Sequence, residues 1–363
     1  MEINHLITTI CRGGAENQLL TLCRKQYAAG KKVNVIYLKG SPELSEKFLN
    51  AGVNVIQIYA NRSPIIQIFQ IRKHLKDSTS ILHCHLPRAE IIGAIARRKN
   101  RLVISKHNAE PFFPGALRFF SWTLARFVSM RAAECVAISD AVKDYLLANK
   151  EVSKKMHIAV VRYGFDDTFR IDPNTRKELS KSLPSGGPIV GAVGRLTLQK
   201  NYPTLLNAFS QYLQNFPNAH LIILGSGPDE SYLKELTHTL GMGQCVHFIG
   251  NTPQVAEWMS LFEIFVLSSR YEGFGLVLVE AMQVGLPIIA ANNSAIPEVL
   301  GEDYLGLYPT YDSEKLAHRL VEFSTLKVQE ESRIILSERL NHFDPILMEK
   351  RINAIYLQAI ERL

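Results

Sequence analysis

Short runs of β-branched and apolar residues alternate with helix-period segments along the whole chain. In the first half Val33–Tyr37, Val53–Gln57, Ile81–Cys84, Leu102–Ser105 and Cys135–Ile138 read as strands. Between them Ala15–Ala29, Pro64–Leu75, Ala89–Lys99 and Leu117–Met130 carry helical spacing. Asp166–Pro188, with its prolines and the Gly186-Gly187 pair, reads as a linker holding one short helix over Arg176–Ser182. The pattern then resumes, with strands Ile189–Val193, His220–Leu224, His247–Ile249, Ile264–Leu267 and Pro287–Ala290. The helices predicted there are Tyr202–Asn215, Glu230–Leu240, Thr252–Ser260, Leu276–Val284 and Asp312–Thr325, and an amphipathic helix, Pro345–Leu363, closes the chain. Alternation of this kind predicts α/β architecture with parallel, doubly wound sheets. We therefore expect two Rossmann-like domains, residues 1–170 and 171–344, facing across a cleft, with ligands taken at the carboxyl ends of the strands.

Composition narrows the class. The 363 residues are 47% hydrophobic and 21% charged, enough for two cores of a soluble globular protein. No apolar run approaches the roughly 18 residues of a membrane span, and Met1–Ile10 is too short for a secretory signal. The cysteines at 11, 23, 84, 135 and 245 form no C-x-x-C pair, which points to reduced thiols, a cytosolic chain and no structural zinc. Charge is uneven: residues 1–170 carry +13 and the remainder −6, for a net +7. A basic first half is either an ordinary solvated surface or one that faces an anionic partner. Nucleic acid, anionic lipid and a lipid phosphate all have the required charge.

The densest chemistry lies in Ser269-Arg-Tyr-Glu-Gly-Phe-Gly-Leu-Val-Leu-Val-Glu-Ala-Met282. Glu272 and Glu280 stand eight positions apart around Gly273, Phe274 and Gly275, which run into a helix. Free amides at such a junction can hold a diphosphate. Carboxylates on either side suit sugar hydroxyls, as a nucleotide sugar would present. After the first strand of the second half, Arg195 and Lys200 are placed to aim two cations at one phosphate pair and to neutralise a departing diphosphate. In isolation such a pair would be surface charge; beside the glutamate block it gains meaning.

Gly225-Ser-Gly-Pro228 holds only part of a dinucleotide fingerprint and reads as a turn. Gly13-Gly14-Ala-Glu16 lies between a strand and a helix and allows either a close approach to a ligand or a tight turn. His83 and His85 flank Cys84 and are read as pointing to opposite faces, which would prevent them from chelating one metal together. His85 and His107, each at a strand end, would lie at the cleft edge, with Asn108 adjoining. Leu117–Arg131 is rich in aromatics and arginine; it either lies in a membrane interface or packs on its own domain, and we expect the second. There is no Asp-x-Asp at a strand end, Gly-x-Ser-x-Gly elbow or P-loop, so metal chemistry is not expected.

Arg195, Lys200, Gly225-Ser-Gly, Glu272-Gly-Phe-Gly and Glu280, in this order and spacing, resemble the retaining GT-B glycosyltransferases of family 4. Gly13-Gly14-Ala-Glu16 is similar to that family's N-terminal glycine loop, and Arg162-Tyr-Gly-Phe-Asp166 stands where Asn-Gly-Val-Asp is usual. The resemblance implies that Arg195 and Lys200 grip a donor diphosphate backed by amides of Phe274, Gly275 and Leu276. Glu272 would bind sugar hydroxyls and Glu280 the ribose, with Gly14 under the phosphate and His107 beside the sugar. It also implies that helix 345–363 returns to the first domain, that no metal or cofactor is needed, and that neither glutamate acts as a hydrolase-style acid or nucleophile. Tyr163 and Arg270 depart from the usual residues.

The expectation is a peripheral enzyme on the inner face of the cell membrane. It would move a hexose or N-acetylhexosamine from a nucleotide-diphosphate sugar to a saccharide or lipid-linked acceptor in surface polysaccharide synthesis. Gly13, His85 and Asn108 would meet the acceptor, the basic first domain an anionic membrane surface, and nucleic acid is not an expected partner. A nucleotide-sugar epimerase and a non-catalytic sugar-nucleotide binder are the alternatives. A dehydrogenase is disfavoured by the incomplete dinucleotide fingerprint.

Overall fold

A computed structural model describes residues 1–58, 63–75, 80–99, 101–113, 115–153, 155–165, 167–183 and 186–361. Asp166 of the interdomain motif lies outside them. The chain divides into two compact units: residues 1–164 together with 343–363, and residues 165–342.

The first unit runs β1 (Glu2–Ile7), α1 (Gly14–Ala28), β2 (Lys32–Tyr37), α2 (Ser45–Asn50), β3 (Asn54–Gln57), α3 (Pro64–His74), β4 (Ile81–His85), α4 (Pro87–Ala96), β5 (Arg101–Lys106), α5 (Arg118–Arg131), β6 (Glu134–Ala137), α6 (Asp140–Ala148) and β7 (Ile158–Val160). Its strands form one parallel sheet in the order β3-β2-β1-β4-β5-β6-β7. The order reverses between β1 and β4, so the loops after these two strands diverge and leave a crevice at the carboxyl edge.

The second unit runs α7 (Pro173–Ser180), β8 (Ile189–Val193), α8 (Tyr202–Tyr212), β9 (His220–Leu224), α9 (Glu230–Thr239), β10 (Val246–Gly250), α10 (Val255–Met259), β11 (Ile264–Leu267), α11 (Leu276–Val284), β12 (Ile288–Ala291), α12 (Ile296–Leu300), β13 (Leu307–Tyr308), α13 (Ser313–Phe323) and α14 (Leu326–Leu340). Its sheet, again parallel, has the order β10-β9-β8-β11-β12-β13 and reverses between β8 and β11. The last helix, α15 (Pro345–Glu361), belongs to the first unit and packs on α1. It turns Met348, Ile352, Ile355, Tyr356 and Ala359 inward.

Strands covered on both faces should be continuously apolar. β11, Ile-Phe-Val-Leu, obeys that rule and its bounds are legible in the sequence. β1 does not: Asn4 and His5 are buried in the middle of Glu-Ile-Asn-His-Leu-Ile, which masks a strand that the apolar pattern does not delimit. Asn4 is held in a ladder across the sheet. Asn54 Nδ2 donates to Asn34 Oδ1 (3.1 Å), Asn34 Nδ2 to Asn4 Oδ1 (2.9 Å) and Asn4 Nδ2 to Ser80 Oγ (3.2 Å). These asparagines are register partners, Asn4 with Asn34 and Asn34 with Asn54. A slip of one residue would turn every amide to the other face, so the ladder pins the register. α14 is hidden for a similar reason. Its inward residues include Gln329 and Ser332, and Ser332 Oγ meets Tyr304 OH at 2.6 Å.

α5 packs on α4 of its own unit, but not through its aromatic residues. α5 buries Ser121, Ala125, Val128 and Ser129, whereas Leu117 (83%), Phe119 (76%) and Phe120 (57%) are exposed. Small residues let the helix lie close to its own unit, and the bulky ones are left outside.

Asn34→Ala removes the middle rung and leaves Asn4 Oδ1 and Asn54 Nδ2 without their partner. A loss of about 1–3 kcal/mol is expected in urea unfolding; an unchanged midpoint would show that the ladder contributes nothing.

Candidate functional site

In the second unit the loops after β8 and β11 flank the reversal point. After β8 the chain passes Gly194 and Arg195 into a short 3-10 turn, Leu198–Lys200, and reaches α8 through Asn201 in a left-handed conformation. After β11 it runs through Ser268–Gly275 into α11. Gly275 caps that helix at φ +86°, a conformation that disfavours any side chain.

Hydrogen bonds fasten these loops together. Arg270 N donates to Gln199 O (2.7 Å), Gln199 Nε2 to Tyr271 O (3.0 Å) and Ser268 Oγ to Lys200 O (2.8 Å). From the β12 side, Ser294 Oγ donates to Glu272 O (2.6 Å) and Asn293 Nδ2 to Ser269 O (3.0 Å). Held in this frame, Glu272 accepts from Lys200 Nζ and from Ser269 Oγ, both at 2.6 Å. The carboxylate is almost fully buried, with Phe274 beside it in the core. Glu280 lies in the second turn of α11 and is partly buried, and Arg195 is exposed at the mouth of the β8 loop.

Gly225, at φ +126°, serves the same frame. A Cβ there would stand 2.1 Å from Gly194 O, so only glycine lets the β9 loop close on the β8 loop. Two buried atoms here, Arg270 Nε and Asn293 Oδ1, have no hydrogen-bond partner among the described residues.

The first unit brings together a different set. Gly13 precedes α1 in extended conformation, and Glu16 curls back over it to accept from Thr9 Oγ1 (2.7 Å). Gly14 is the first residue of α1, and Asn108 is exposed beyond the end of β5. His83 and His85 do not point to opposite faces. Residues two apart on a strand share a face, and their rings lie 4.2 Å apart. His5, on the neighbouring strand, joins them, so that one nitrogen from each lies within 4.8 Å of the others.

A cluster of that size has metal-site dimensions, but every nitrogen in it is already engaged. His5 meets His85 Nε2 (3.0 Å) and Gln26 Oε1 (2.8 Å), and His83 meets Tyr356 OH and Ser105 Oγ (both 2.7 Å). His85 Nδ1 meets His107 Nε2 at 3.2 Å, and His107 Nδ1 meets Tyr163 OH. An ion would have to break several of these bonds. His85 ends β4 with both nitrogens engaged, so it could meet a ligand only by releasing His5 or His107, and His107 only by releasing His85 or Tyr163. Tyr163, which departs from the usual motif residue, is explained by its bond to His107.

Gln26, Tyr356 and Ser105 carry no local motif, and the sequence gives no sign of their part in this network. Burial disfavours charge throughout it. His5 is pushed down to about 4 and His107 to about 3, the latter aided by Lys106, while His83 and His85 fall well below the ordinary histidine value.

The comparisons with known proteins follow this geometry. Residues 12–169 match the family model Glycosyltransferase Family 4, and residues 174–339 match Glycosyl transferases group 1. The GDP-mannose-dependent alpha-(1-6)-phosphatidylinositol monomannoside mannosyltransferase of Mycobacterium tuberculosis is 30% identical over 238 residues, 61% of this chain and 58% of that one. Mannosylfructose-phosphate synthase of Agrobacterium fabrum is 28% identical over 229 residues, 60% of this chain and 50% of that one. The chain thus spans about half the length of these curated relatives. Among solved structures, Anabaena HepE in complex with UDP superposes with a TM-score of 0.81 at 22% identity, covering 98% of this chain and 99% of that one. TarM gives 0.78 at 11% identity, covering 99% and 98%. The fold is of the GT-B type, and the two matched family models follow one another along the chain.

The unfolded chain takes up protons at its histidines below about pH 6.5, whereas the folded network resists them. Stability should be greatest above pH 6.5 and fall as the pH drops toward 4, by about 1.4 kcal/mol per pH unit for each histidine resisting protonation. Glu90 and Glu151, raised by burial, act in the opposite direction, but they are two against four. Urea midpoints at pH 7.5 and 5.0 check this; equal midpoints would contradict it.

Proposed function

We propose that this chain, built of a Glycosyltransferase Family 4 domain and a Glycosyl transferases group 1 domain, is a retaining, metal-independent glycosyltransferase. It moves a hexose or N-acetylhexosamine from a nucleotide-diphosphate sugar to a hydroxyl of a saccharide or lipid-linked acceptor. The observation that carries the reading is the Lys200–Glu272 pair, held at the reversal point between β8 and β11 and facing the start of α11.

An ammonium has three N–H donors, so Lys200 can keep Glu272 and still bind a phosphate oxygen. In that arrangement Lys200 and Arg195 neutralise the diphosphate, the first amides of α11 complete its cradle, Glu272 takes the sugar hydroxyls and Glu280 the ribose. The anomeric carbon–phosphate oxygen bond breaks and the bond to the acceptor oxygen forms on the same face. The acceptor's proton passes to the leaving phosphate oxygen. Electrostatic stabilisation of that leaving group is the main contribution this site can make.

The nucleotide is sought among those the similar proteins are named or solved with: the Mycobacterium tuberculosis relative is GDP-mannose-dependent, and HepE is seen with UDP. Calorimetric titration with UDP, GDP and ADP in the absence of metal is expected to give micromolar affinity for one of them. Lys200→Ala is expected to weaken that binding and to lower transfer at least 100-fold, roughly 2.7 kcal/mol of barrier. Near-normal turnover in the variant would remove Lys200 from the phosphate site.

The acceptor side of the proposal is a membrane surface. Among the described residues no helix is long and apolar enough to cross a membrane. Exposed Leu117, Phe119 and Phe120 flank Arg118 at the start of α5, and Arg98 and Lys99 are exposed after α4, the helix that α5 packs against. Aromatic and cationic side chains side by side suit an anionic lipid interface. Phe119→Ser with Phe120→Ser should reduce co-sedimentation with anionic vesicles several-fold, as should 0.5 M salt, where screening acts within about 4 Å. Binding indifferent to both changes would exclude this surface.

A further inference from the structure

The last turn of α4 collects cations. Its final carbonyls have no partner inside the helix and carry the negative end of its dipole, so basic side chains are drawn to them. Two arginines answer that demand directly. Arg131, at the end of α5, donates from Nε to Ala94 O (2.7 Å), and Arg72, in the last turn of α3, donates from Nη2 to Ile95 O (2.9 Å).

Four further cations stand here without that explanation. Arg97 caps α4, Arg98 and Lys99 follow it, and Arg101 opens β5. The end of α5 is fastened beside them, because Ala133 N donates to Leu102 O (2.7 Å). Arg98 and Lys99 are exposed, whereas Arg97, Arg101 and Arg131 are half-buried. Burial, and after it the charges of Arg131 and Arg101, push Arg97 below the ordinary guanidinium value, so these three charges lie close enough to repel one another. Arg97 Nε is buried and has no hydrogen-bond partner among the described residues.

Among the described residues none of the six cations pairs with a carboxylate, although Lys31, Lys106, Arg162 and Lys200 each do. Ordinary surface arginines extend into water and stay apart. Here Arg131 is tied to the backbone of α4, and the half-buried stems of Arg97 and Arg101 keep like charges together. Helix-end carbonyls offset part of that repulsion for Arg131 and Arg72, but they leave the donors of Arg97 and Arg101 unspent. A guanidinium presents its N–H groups as a planar fork that fits two oxygens of one phosphate. Several such forks around one point suit an anion that carries more than one charge.

We infer that Arg97, Arg101 and Arg131 form a phosphate-binding site at the amino edge of the first sheet, one that takes the dianion of a phosphate monoester. Arg98 and Lys99 add attraction from the solvent side. His107 lies beyond the other end of β5, about 20 Å away at the rise of a parallel strand, so the site is separate from the carboxyl edge. The inference does not depend on the transferase reading, and its test measures neither donor binding nor transfer.

Arginine side-chain NMR on the full chain, with inorganic phosphate titrated at constant ionic strength, reads the site directly. The Nε–H signals of Arg97, Arg101 and Arg131 should move together along one saturating curve. Signals that drift without saturating, or that move equally at exposed arginines elsewhere, would mean an adventitious ion only and overturn the site. Arg97→Gln should weaken phosphate binding about tenfold, the loss of one charge-assisted contact. In chloride its urea midpoint should be no lower than that of the wild type, because a repelling charge has gone. An Arg97 that merely props up α4 would instead give a lower midpoint and an unchanged phosphate affinity. Glycerol 3-phosphate and vesicles of phosphatidic acid then separate a free ester from a lipid-borne one. Binding of either that falls in Arg97→Gln, but not in Phe119→Ser with Phe120→Ser, supports the site and identifies the source; binding of both that ignores Arg97→Gln removes it.

Discussion

Parallel pairing is the constraint on which everything else in this molecule rests. A strand paired in parallel cannot be followed by a hairpin, so the chain must cross back over the sheet before the next strand begins. Every strand in both units therefore delivers its carboxyl end to the same edge, and the residues just beyond those ends gather there without being close in sequence. Lys200 and Glu272 are 72 positions apart and meet because β8 and β11 are neighbours. His5 and His85 are 80 apart and meet because β1 pairs with β4. The reversal of strand order falls at these same pairs, and that is where the loops part enough to admit a ligand.

The two units use this arrangement in opposite ways. In the second, the strands are mostly apolar, with His220 and His247 paired on β9 and β10, and the charged groups lie in the loops beyond the strands. The site is therefore a rim of charge on a dry sheet, and a lysine and a buried carboxylate can face each other with little water between them. In the first, polar side chains run through the sheet itself, as an asparagine ladder on one side and a histidine network on the other. Such groups are tolerated in the interior only when every donor finds an acceptor. The first unit therefore trades apolar burial for polar pairing, and its stability should respond to pH accordingly.

This contrast also explains what the sequence reveals. The bounds of β8, β9, β11 and α11 follow from apolar period and glycine punctuation, and Glu272, Glu280, Arg195 and Lys200 stand out because loop chemistry in the second unit is concentrated in short motifs. β1 is obscured because Asn4 and His5 interrupt its apolar run, and α14 because Gln329 and Ser332 occupy inward positions. A polar residue can satisfy the interior as well as an apolar one when a partner lies on another strand, and that partner is not visible from local spacing. The aromatic residues of α5 mislead in the other direction. Apolar character normally indicates burial, but Ser121, Ala125 and Ser129 fill the contact, and the large rings remain outside.

The histidines are the most instructive case. Strand geometry alone puts His83 and His85 on one face, and the two-residue period is sufficient to bring their rings together. What the period cannot supply is protonation. Four imidazoles packed this tightly would repel one another if charged and would fail to pair if their tautomers were random. Each ring nitrogen of the four must therefore find a partner in its neighbours, and Gln26 and Tyr356 extend that pairing beyond the histidines. The first unit thus holds its histidines by mutual pairing, each side chain leaning on partners that come from other strands and from the last helix.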